Sequence, residues 1–424
     1  MRRPWAVQVS RWGLLSVVLA GMYVAGCATL GALLNPSGLT DFDVATWPAV
    51  QQVLHGHPLH IYEPSKTIIY AAHGPRVSFD HGPISLLPLS VAGLIVTLLG
   101  WAGEIRVDRA AALATSAIFA LLMAREAVAI ISDARGLPLP ALRRLITMAA
   151  LVLVPALGLG IYTHVELPIG MWLYLRSFRD LSRGHVVRSG LEAALAVMSR
   201  TTVVLLVLPL GIVILRQLGR RAALLWGAVL AGTVAVVMMP FIVADPEAVW
   251  SAFVVVRGHI AVGYGSFLVL AAHTPLESLA QHGDVVLIGV GVLVVLWLTR
   301  RTLADAPVNS TDVLGVVAAV ALCFPLFSKT SFAYYLLEPS VLTIIWLLST
   351  RPSPRRSYIG TAAAVLAVAP AVYYFSVLVH PNPDAEFAAS IVVGGLIALA
   401  LWECLLVLRS PLTARAIRVG GPIA

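Results

Sequence analysis

Apolar runs close to twenty residues long recur along the whole chain and predict membrane-spanning helices. Thirteen such segments alternate with short polar stretches, near 12–34, 84–101, 108–130, 145–163, 165–177, 189–199, 201–215, 222–243, 284–299, 312–327, 334–349, 358–379 and 387–408. A run of about twenty apolar residues crosses the roughly 30 Å of hydrocarbon in a bilayer. The pattern predicts an all-α polytopic membrane protein that forms one integral membrane domain over residues 1–424.

The basic residues decide which apolar segments cross. If all thirteen do, Arg143 and Arg144 fall on the outer side, against the rule that Lys and Arg gather inside. Segment 84–101 is short, contains Pro88 and follows a long polar loop, so we interpret it as a helix lying in the outer interface. About twelve spans then remain, with 12–34 first and the others within 108–408. Both termini and the tail 409–424 are cytoplasmic, with 21 basic residues inside and seven outside.

Composition excludes a soluble domain. The chain is 59% hydrophobic and 12% charged, with a mean hydropathy of +0.89, whereas soluble domains carry about 25% charged residues. The net charge of +8 could suggest nucleic acid, but the basic residues are scattered singly and in pairs between apolar runs. We therefore expect a multi-pass protein of the inner (plasma) membrane, with the lipid bilayer as a partner and no nucleic acid.

The three cysteines, Cys27, Cys323 and Cys404, lie in or beside apolar runs without the spacing of metal ligands, so we interpret them as core residues. The stretch from Val24 to Cys27 also fits a lipoprotein-type cleavage box. A retained first helix running to about Leu34 is the favoured interpretation.

Polar side chains that could carry chemistry collect in the loops assigned to the outer face. The longest, 35–107, holds Asp41, Asp43, Trp47 and five histidines, His55, His57, His60, His73 and His81. We expect interfacial helices near 44–56 and 84–101. The spacing of His55, His57 and His60 is unlike that of a zinc site, so no metal is predicted. Solvated loop residues, or donors to phosphate and sugar oxygens, are the alternatives.

Two groups of acids stand next to apolar helices. Asp41 follows the first span, where partial burial could tune its pKa for general-base catalysis; as an alternative, it caps the helix that follows. His164 and Glu166 lie between two spans, where charged groups facing a cavity are often functional. The alternative is an interfacial pair that only ends these spans.

Arg200 interrupts what would otherwise be one long apolar helix. A cation there needs an anion, and the phosphate of a lipid donor would serve; a salt bridge with Glu166 or Glu192 is the alternative. Lys329 and Arg257 are further candidates for binding this phosphate. The alternative for Lys329 is that its side chain only snorkels to the membrane interface. The chain has no phosphate-binding glycine-rich loop, nucleophile elbow or HExxH motif, so nucleotide-driven pumps and metalloproteases are not supported.

Three local motifs resemble a known family. Asp41-Phe42-Asp43-Val44 continues into the stretch 53–59, VLHGHPL; the stretch 79–89, FDHGPISLLPL, opens the second interfacial segment; and 164–176 is followed by Ser199-Arg200-Thr201. This layout is similar to the GT-C superfamily of polyprenyl-phosphate-sugar-dependent glycosyltransferases, within it to the GT87 mannosyltransferase type. The chain departs from that pattern at Ala45, where the family has Tyr, and at Tyr334-Tyr335, where it has His-Tyr.

The resemblance implies a GT-C fold and an inverting glycosyltransferase on the outer face. Asp41 would deprotonate an acceptor hydroxyl, which attacks the anomeric carbon of a lipid-phosphate sugar, most simply polyprenyl-phosphate mannose. An envelope glycolipid or glycan would be the acceptor, and no cofactor beyond the lipid-linked sugar is expected. We assign the donor phosphate to Arg200, Lys329 and Arg257. The residues predicted to bind the acceptor or sugar are Asp43, Trp47, His81, His164, Glu166 and Tyr334.

Two functions of other classes remain open. Charged groups within apolar segments would also suit a transporter or lipid flippase, although the two halves of the chain show no similarity. A non-catalytic partner in wall-polymer assembly is the third interpretation.

Overall fold

The computed structural model describes residues 5–34, 40–64, 79–101, 103–159, 164–256, 262–263, 266–271, 274–351, 353–379 and 383–409. Within these ranges the chain is helical, and the single β feature is an isolated bridge between Gly263 and Thr330. The all-α class predicted from the apolar pattern is therefore confirmed. Arg257 lies outside the described residues.

Seventeen α-helices follow one another along the described chain. The first nine are α1 (Trp5–Leu34), α2 (Trp47–Leu54), α3 (Leu86–Leu98), α4 (Ile105–Arg135), α5 (Ala141–Leu159), α6 (Glu166–Ser182), α7 (Val186–Val197), α8 (Val203–Gln217) and α9 (Gly219–Ala244). The remainder are α10 (Pro246–Trp250), α11 (Glu277–His282), α12 (Asp284–Leu298), α13 (Arg300–Asp305), α14 (Thr311–Phe327), α15 (Leu337–Ser349), α16 (Pro354–Val379) and α17 (Pro383–Arg409). Short 3-10 or π turns precede α2, α3 and α15, at Phe42–Thr46, Pro83–Ser85 and Ala333–Leu336.

Five of the described helices are long and apolar enough to cross a membrane, namely those containing Leu14–Ala32, Ile105–Arg135, Gly219–Ala244, Pro354–Tyr374 and Phe387–Arg409. The side chains on the outside of α9 indicate whether these helices are surrounded by lipid or by water. Leu224, Val236 and Val243 on α9 are 73%, 75% and 74% exposed. So many apolar side chains on the outside of a helix indicate contact with lipid rather than water. The chain is a membrane protein.

The segment predicted to lie in the interface is shorter than expected. Instead of a helix over 84–101, a 3-10 turn at Pro83–Ser85 leads into α3, which ends at Leu98. Thirteen residues at 1.5 Å each give about 20 Å, less than the hydrocarbon thickness. Helix α3 packs on α2 and α4. The helix expected near 44–56 is present as the π turn Phe42–Thr46 followed by α2.

Helix α1 runs without interruption through Cys27, which is 1% exposed. The prediction of a first helix that continues to about Leu34 is confirmed, since α1 ends at that residue. Cys323 and Cys404 are also buried, as expected for core residues.

Two apolar cores hold the helices. The larger one spreads through the bundle around α4, α6, α14 and α15 and includes the fully buried Trp346. The smaller one contains Phe42, Tyr62 and Phe79 and joins the π turn to the chain before α3. The Tyr62 hydroxyl donates to the His81 carbonyl at 3.0 Å. The smaller core thus fixes the backbone on both sides of the polar residues described next.

Candidate functional site

A buried carboxylate, Glu166, is the centre of the candidate site. Its side chain is 2% exposed, and three donors approach its Oε1 atom. His164 Nδ1 lies at 2.6 Å, His81 Nε2 at 3.2 Å and Arg200 Nη1 at 3.2 Å. A buried charge without partners costs several kcal/mol, so these donors stabilise the carboxylate in place. We call His81, His164, Glu166 and Arg200 the Glu166 cluster.

Local backbone features bring the cluster together. Glu166 begins α6, where the helix dipole favours a negative charge. Arg200 lies in the turn between α7 and α8 and passes close to Gly170, where an added Cβ would be 3.1 Å from the Arg200 Cβ. Gly82 touches the Met198 backbone, and the Ile84 amide donates to the Met198 carbonyl at 3.2 Å. Small residues at 82 and 170 therefore let three segments meet.

This close approach at Gly82 gives a direct prediction. A Cβ on Gly82 would lie 1.9 Å from the Met198 carbonyl oxygen, so Gly82→Ala must move the backbone next to His81. We expect a loss of about 1–3 kcal/mol of stability, measured as a lower Tm of the purified protein. Gly232→Ala is the matched control, because nothing lies within 4 Å of a Cβ there; equal Tm values for both variants would contradict the predicted contact.

Asp41 connects the cluster to the outside. Its Oδ2 atom is 3.4 Å from His164 Nε2, and its side chain is 47% exposed against 6% for His164. His164 thus has a carboxylate on each ring nitrogen, Asp41 on one and Glu166 on the other. Burial disfavours the charged ring, but Glu166 and Asp41 outweigh it and raise the pKa of His164 to about 9. At neutral pH, His164 is therefore an imidazolium held between two acids.

The raised pKa of His164 makes stability depend on alkaline pH. The ordinary pKa of about 6.5 applies to the unfolded chain, and the folded value is about 9. The stabilisation is fully present below pH 6.5 and is lost as the pH rises through 9. We expect the Tm advantage of wild type over His164→Asn to shrink by roughly a few degrees across this window. An advantage that is constant from pH 6 to 10 would show that His164 does not titrate there.

Two tyrosines cover the cations of the cluster. The Tyr334 ring contacts the His164 ring at a tilt of 35°, with centroids 3.8 Å apart. The Arg200 Cζ atom lies 5.5 Å from the Tyr334 ring and 5.6 Å from the Tyr335 ring. Cations over aromatic faces gain about 0.5–2 kcal/mol. Tyr334, predicted from the sequence as a sugar-binding residue, is thus brought to the cluster, where it is 5% exposed.

Glu338 belongs to the site but was missed from the sequence. Its Oε1 atom is 4.0 Å from Arg200 Nε and accepts a hydrogen bond from the Thr202 hydroxyl at 3.0 Å. Arg200 therefore lies between two buried carboxylates. Of the salt bridges considered for Arg200, the one with Glu166 forms, whereas Glu192 pairs with Arg176 at 2.8 Å. An acid inside the apolar run 334–349 was the available signal for Glu338.

Asp43 does not contact the Glu166 cluster but forms an ion pair with Arg109. Arg109 contacts both of its carboxylate oxygens, with Nε at 2.9 Å from Oδ1, and the Thr40 amide and hydroxyl each donate at 2.7 Å. Although burial alone would raise it, these hydrogen bonds lower the pKa of Asp43 below its ordinary value. The structure places Asp43 as a clamp between α4 and the turn that carries Asp41, rather than beside the cluster.

The remaining predicted site residues have other neighbours. Trp47 lies against α3, with its Cη2 atom 3.2 Å from the position of a Cβ on Gly93. Lys329 is 2% exposed and its Nζ atom donates to the Gln281 carbonyl at 3.2 Å. Neither residue is among the donors that contact Glu166, which are His81, His164 and Arg200.

The cluster also has the composition of a metal site. His81, His164 and Glu166 each offer one ligand atom, and these atoms lie within 4.8 Å of one another. The Arg200 guanidinium, however, is 3.2 Å from the same Glu166 oxygen, and a divalent cation there would meet its charge at close range. We therefore interpret the cluster as a set of fixed charges in which cationic side chains neutralise the acids.

Comparison with known proteins does not place the chain in a family. No protein-family model matches it, and no curated protein matches it either. The functional interpretation accordingly depends on the geometry of Asp41 and the Glu166 cluster.

Proposed function

We propose that this membrane protein is an inverting glycosyltransferase of the GT-C type. It moves a sugar, in the first instance mannose, from a polyprenyl-phosphate donor to an envelope glycolipid or glycan. One observation carries the proposal: Asp41 is a half-exposed carboxylate placed 3.4 Å from an imidazole whose other side is fixed by a buried acid. An accessible base held by a rigid charged network is what activation of a hydroxyl requires.

Asp41 is the base in the proposed reaction. It takes the proton of the acceptor hydroxyl as that oxygen attacks the anomeric carbon of the donor. The bond between this carbon and the phosphate oxygen breaks, and polyprenyl phosphate leaves with the electron pair. Attack opposite to the leaving group inverts the configuration at the anomeric carbon.

The Glu166 cluster positions the base. Because Glu166 binds Nδ1 of His164 at 2.6 Å, the imidazolium keeps one orientation and directs Nε2 towards Asp41. Arg200 and His81 contact the same Glu166 oxygen, so the acid stays ionised and does not withdraw the proton from His164. His164 therefore remains the cation next to Asp41, and its charge offsets the charge of the phosphate that leaves.

The donor phosphate needs further cations. Arg200 lies between Glu166 and Glu338, so a phosphate would have to displace a carboxylate to reach it. We accordingly assign Arg200 to positioning Glu166, and keep Lys329 and Arg257 as proposed phosphate ligands. His81 and Tyr334 are the proposed sugar contacts, since both border His164.

We also propose twelve spans, with Asp41 on the outer side. Two groups of contacts support this. Arg135 at the end of α4 donates to the Leu348 carbonyl near the end of α15, and Thr302 donates to the Leu408 carbonyl near the end of α17. The starts of α6 and α8 lie at the Glu166 cluster instead. The ends of α4, α15 and α17 thus contact other helix ends away from the Glu166 cluster, whereas the starts of α6 and α8 lie at the cluster. Helices that cross a membrane in alternating directions are expected to place their termini at two opposite ends in this way.

Sugar transfer is distinguished from transport by what happens to the acceptor. The experiment supplies polyprenyl-phosphate mannose and an acceptor lipid extract to proteoliposomes and determines product masses. We expect an acceptor heavier by one hexose and released polyprenyl phosphate. An unchanged donor that moves from one leaflet to the other would instead favour a flippase and would contradict the proposed activity.

A further inference from the structure

A second polar site lies in the same bundle, away from Asp41. A pocket of about 410 Å³ opens between α4, α5 and α6. Four of the residues that line it are arginines, Arg125, Arg144, Arg176 and Arg179, and one is an acid, Glu126. The volume lies within the range of about 300–1,000 Å³ that holds small ligands.

The pocket is at the opposite end of α6 from the Glu166 cluster. Glu166 is the first residue of α6, and Arg176 and Arg179 come ten and thirteen residues later. At 1.5 Å per residue, they lie roughly 15–20 Å further along the axis. Arg125 is similarly about 24 Å along α4 from Arg109, which pairs with Asp43. The pocket is therefore separate from the proposed transfer site.

Internal ion pairs fix Arg176 and Arg179. Arg179 binds Glu126 at 2.8 Å and Asp133 at 3.3 Å. Arg176 binds Glu192 at 2.8 Å, and its Cζ atom lies 5.1 Å from the ring of Trp172, which also lines the pocket. Guanidinium groups held in this way keep N–H donors in a fixed geometry, which lowers the entropy lost when an anion binds.

Positive charge stays in excess when these acids are counted. The four lining arginines face three carboxylates, those of Glu126, Asp133 and Glu192. Arg125 is exposed at the rim and forms no ion pair with any residue that the structure describes. At the end of α4, Arg135 is repelled by Arg143 and by Arg356. The field at this end of the bundle is cationic.

An apolar surface leads up to the pocket. Leu142 and Ile146 on α5 are 68% and 58% exposed, and Ile118 on α4 is 56% exposed. Ile118 lies four residues before Leu122 and seven before Arg125, and therefore on the face of α4 that lines the pocket. Leu142 and Ile146, two positions from Arg144, lie on the other side of α5. A lipid whose headgroup enters the pocket would thus find Ile118 beside it for its acyl chains.

We propose that this pocket binds a phosphate-bearing anion, with the headgroup of an acidic phospholipid as the favoured source. Arginine side chains bind phosphate oxygens in bidentate pairs, and basic pockets between membrane helices are typical of acidic-lipid recognition. The exposed Ile118, on the same face of α4 as Arg125, favours a lipid over free phosphate. The bound lipid would cross-link α4, α5 and α6 at the end of the bundle remote from Asp41.

The test compares two variants of equal charge. Arg220 and Arg221 are exposed at the start of α9 and do not line the pocket. Purified wild type, Arg125→Gln/Arg144→Gln and the control Arg220→Gln/Arg221→Gln are placed in vesicles of phosphatidylcholine with or without phosphatidylglycerol. Retained phosphatidylglycerol is counted by native mass spectrometry. One surface arginine contributes about 1 kcal/mol to such binding, or about fivefold, so the pocket variant is expected to retain roughly 25-fold less, and the control to retain as much as wild type.

A second arm identifies the source of the phosphate. Millimolar inorganic phosphate is added to protein in phosphatidylcholine alone, and a rise in Tm that the pocket variant lacks would assign the site to free phosphate. Loss of binding that is equal in the pocket and control variants, or no binding of either ligand by wild type, would overturn the proposal. Arg125→Gln alone guards against misfolding, because this side chain lies at the exposed rim, and should still weaken binding about fivefold.

Discussion

Replacing Asp41 by Asn is expected to lower the rate of sugar transfer by about 10²–10⁴-fold, the usual contribution of a general base. Asn has the shape of Asp but cannot take the proton of the acceptor hydroxyl. Since the Asp41 side chain is 47% exposed, the amount of folded protein should stay the same. The measurement is hexose transferred per unit of protein in membranes that contain polyprenyl-phosphate mannose.

A matched exposed acid controls for charge. Glu63 lies in the same loop, pairs with His60 and is 43% exposed at its side chain. Glu63→Gln should transfer sugar at the wild-type rate. If Asp41→Asn is as active as Glu63→Gln, Asp41 is not the base.

The second large effect concerns the stability of the Glu166 cluster. Arg200→Met removes the cation that lies between Glu166 and Glu338, and breaking a buried ion pair from one side costs about 3–5 kcal/mol. We expect a marked loss of folded protein and of Tm in detergent. Adding Glu338→Gln should recover part of the loss, because Glu338 then no longer carries a charge that has lost its cation, whereas Glu166 keeps His164 and His81.

An arginine near the membrane surface serves as the comparison. Arg300 donates to the Trp297 carbonyl and lies 4.6 Å from the Trp297 ring, and it is exposed. Arg300→Met should change stability by less than about 1 kcal/mol. A Tm for Arg200→Met that equals the Tm of Arg300→Met would show that the cluster does not stabilise the fold.

The apolar pattern predicted many helices closely because the length of an apolar run largely sets where a membrane helix ends. Segment 312–327 is α14, Thr311–Phe327, and 201–215 is α8, Val203–Gln217. The segment 165–177 was too short, since α6 continues to Ser182. The last turns of α6 contain Arg179, which is paired with Glu126 and Asp133 on α4. Pairs between residues so far apart in the sequence are not visible in a local apolar pattern.

Most members of the candidate site, but not Glu338, were predictable from the sequence, whereas their contacts were not. His164, Glu166 and Arg200 were singled out because charged groups beside apolar runs are costly, and His81 and Tyr334 as polar and aromatic residues that could line an acceptor cavity. The structure brings all five together. Asp43 met the same criterion, yet its partner Arg109 is 66 positions away and turns it into a clamp. Whether a carboxylate remains accessible depends on its tertiary partners. The sequence alone therefore did not show that the side chain of Asp41 is exposed and that of Asp43 is buried.

The most direct measurement is the reaction itself, followed with purified protein. Wild type in proteoliposomes is given polyprenyl-phosphate mannose and an envelope glycolipid fraction, and the product is characterised by mass and by the configuration of its anomeric carbon. The proposed activity predicts one mannose added with inversion and one polyprenyl phosphate released for each transfer. Retention of configuration, or no transfer from any lipid-phosphate sugar, would contradict it.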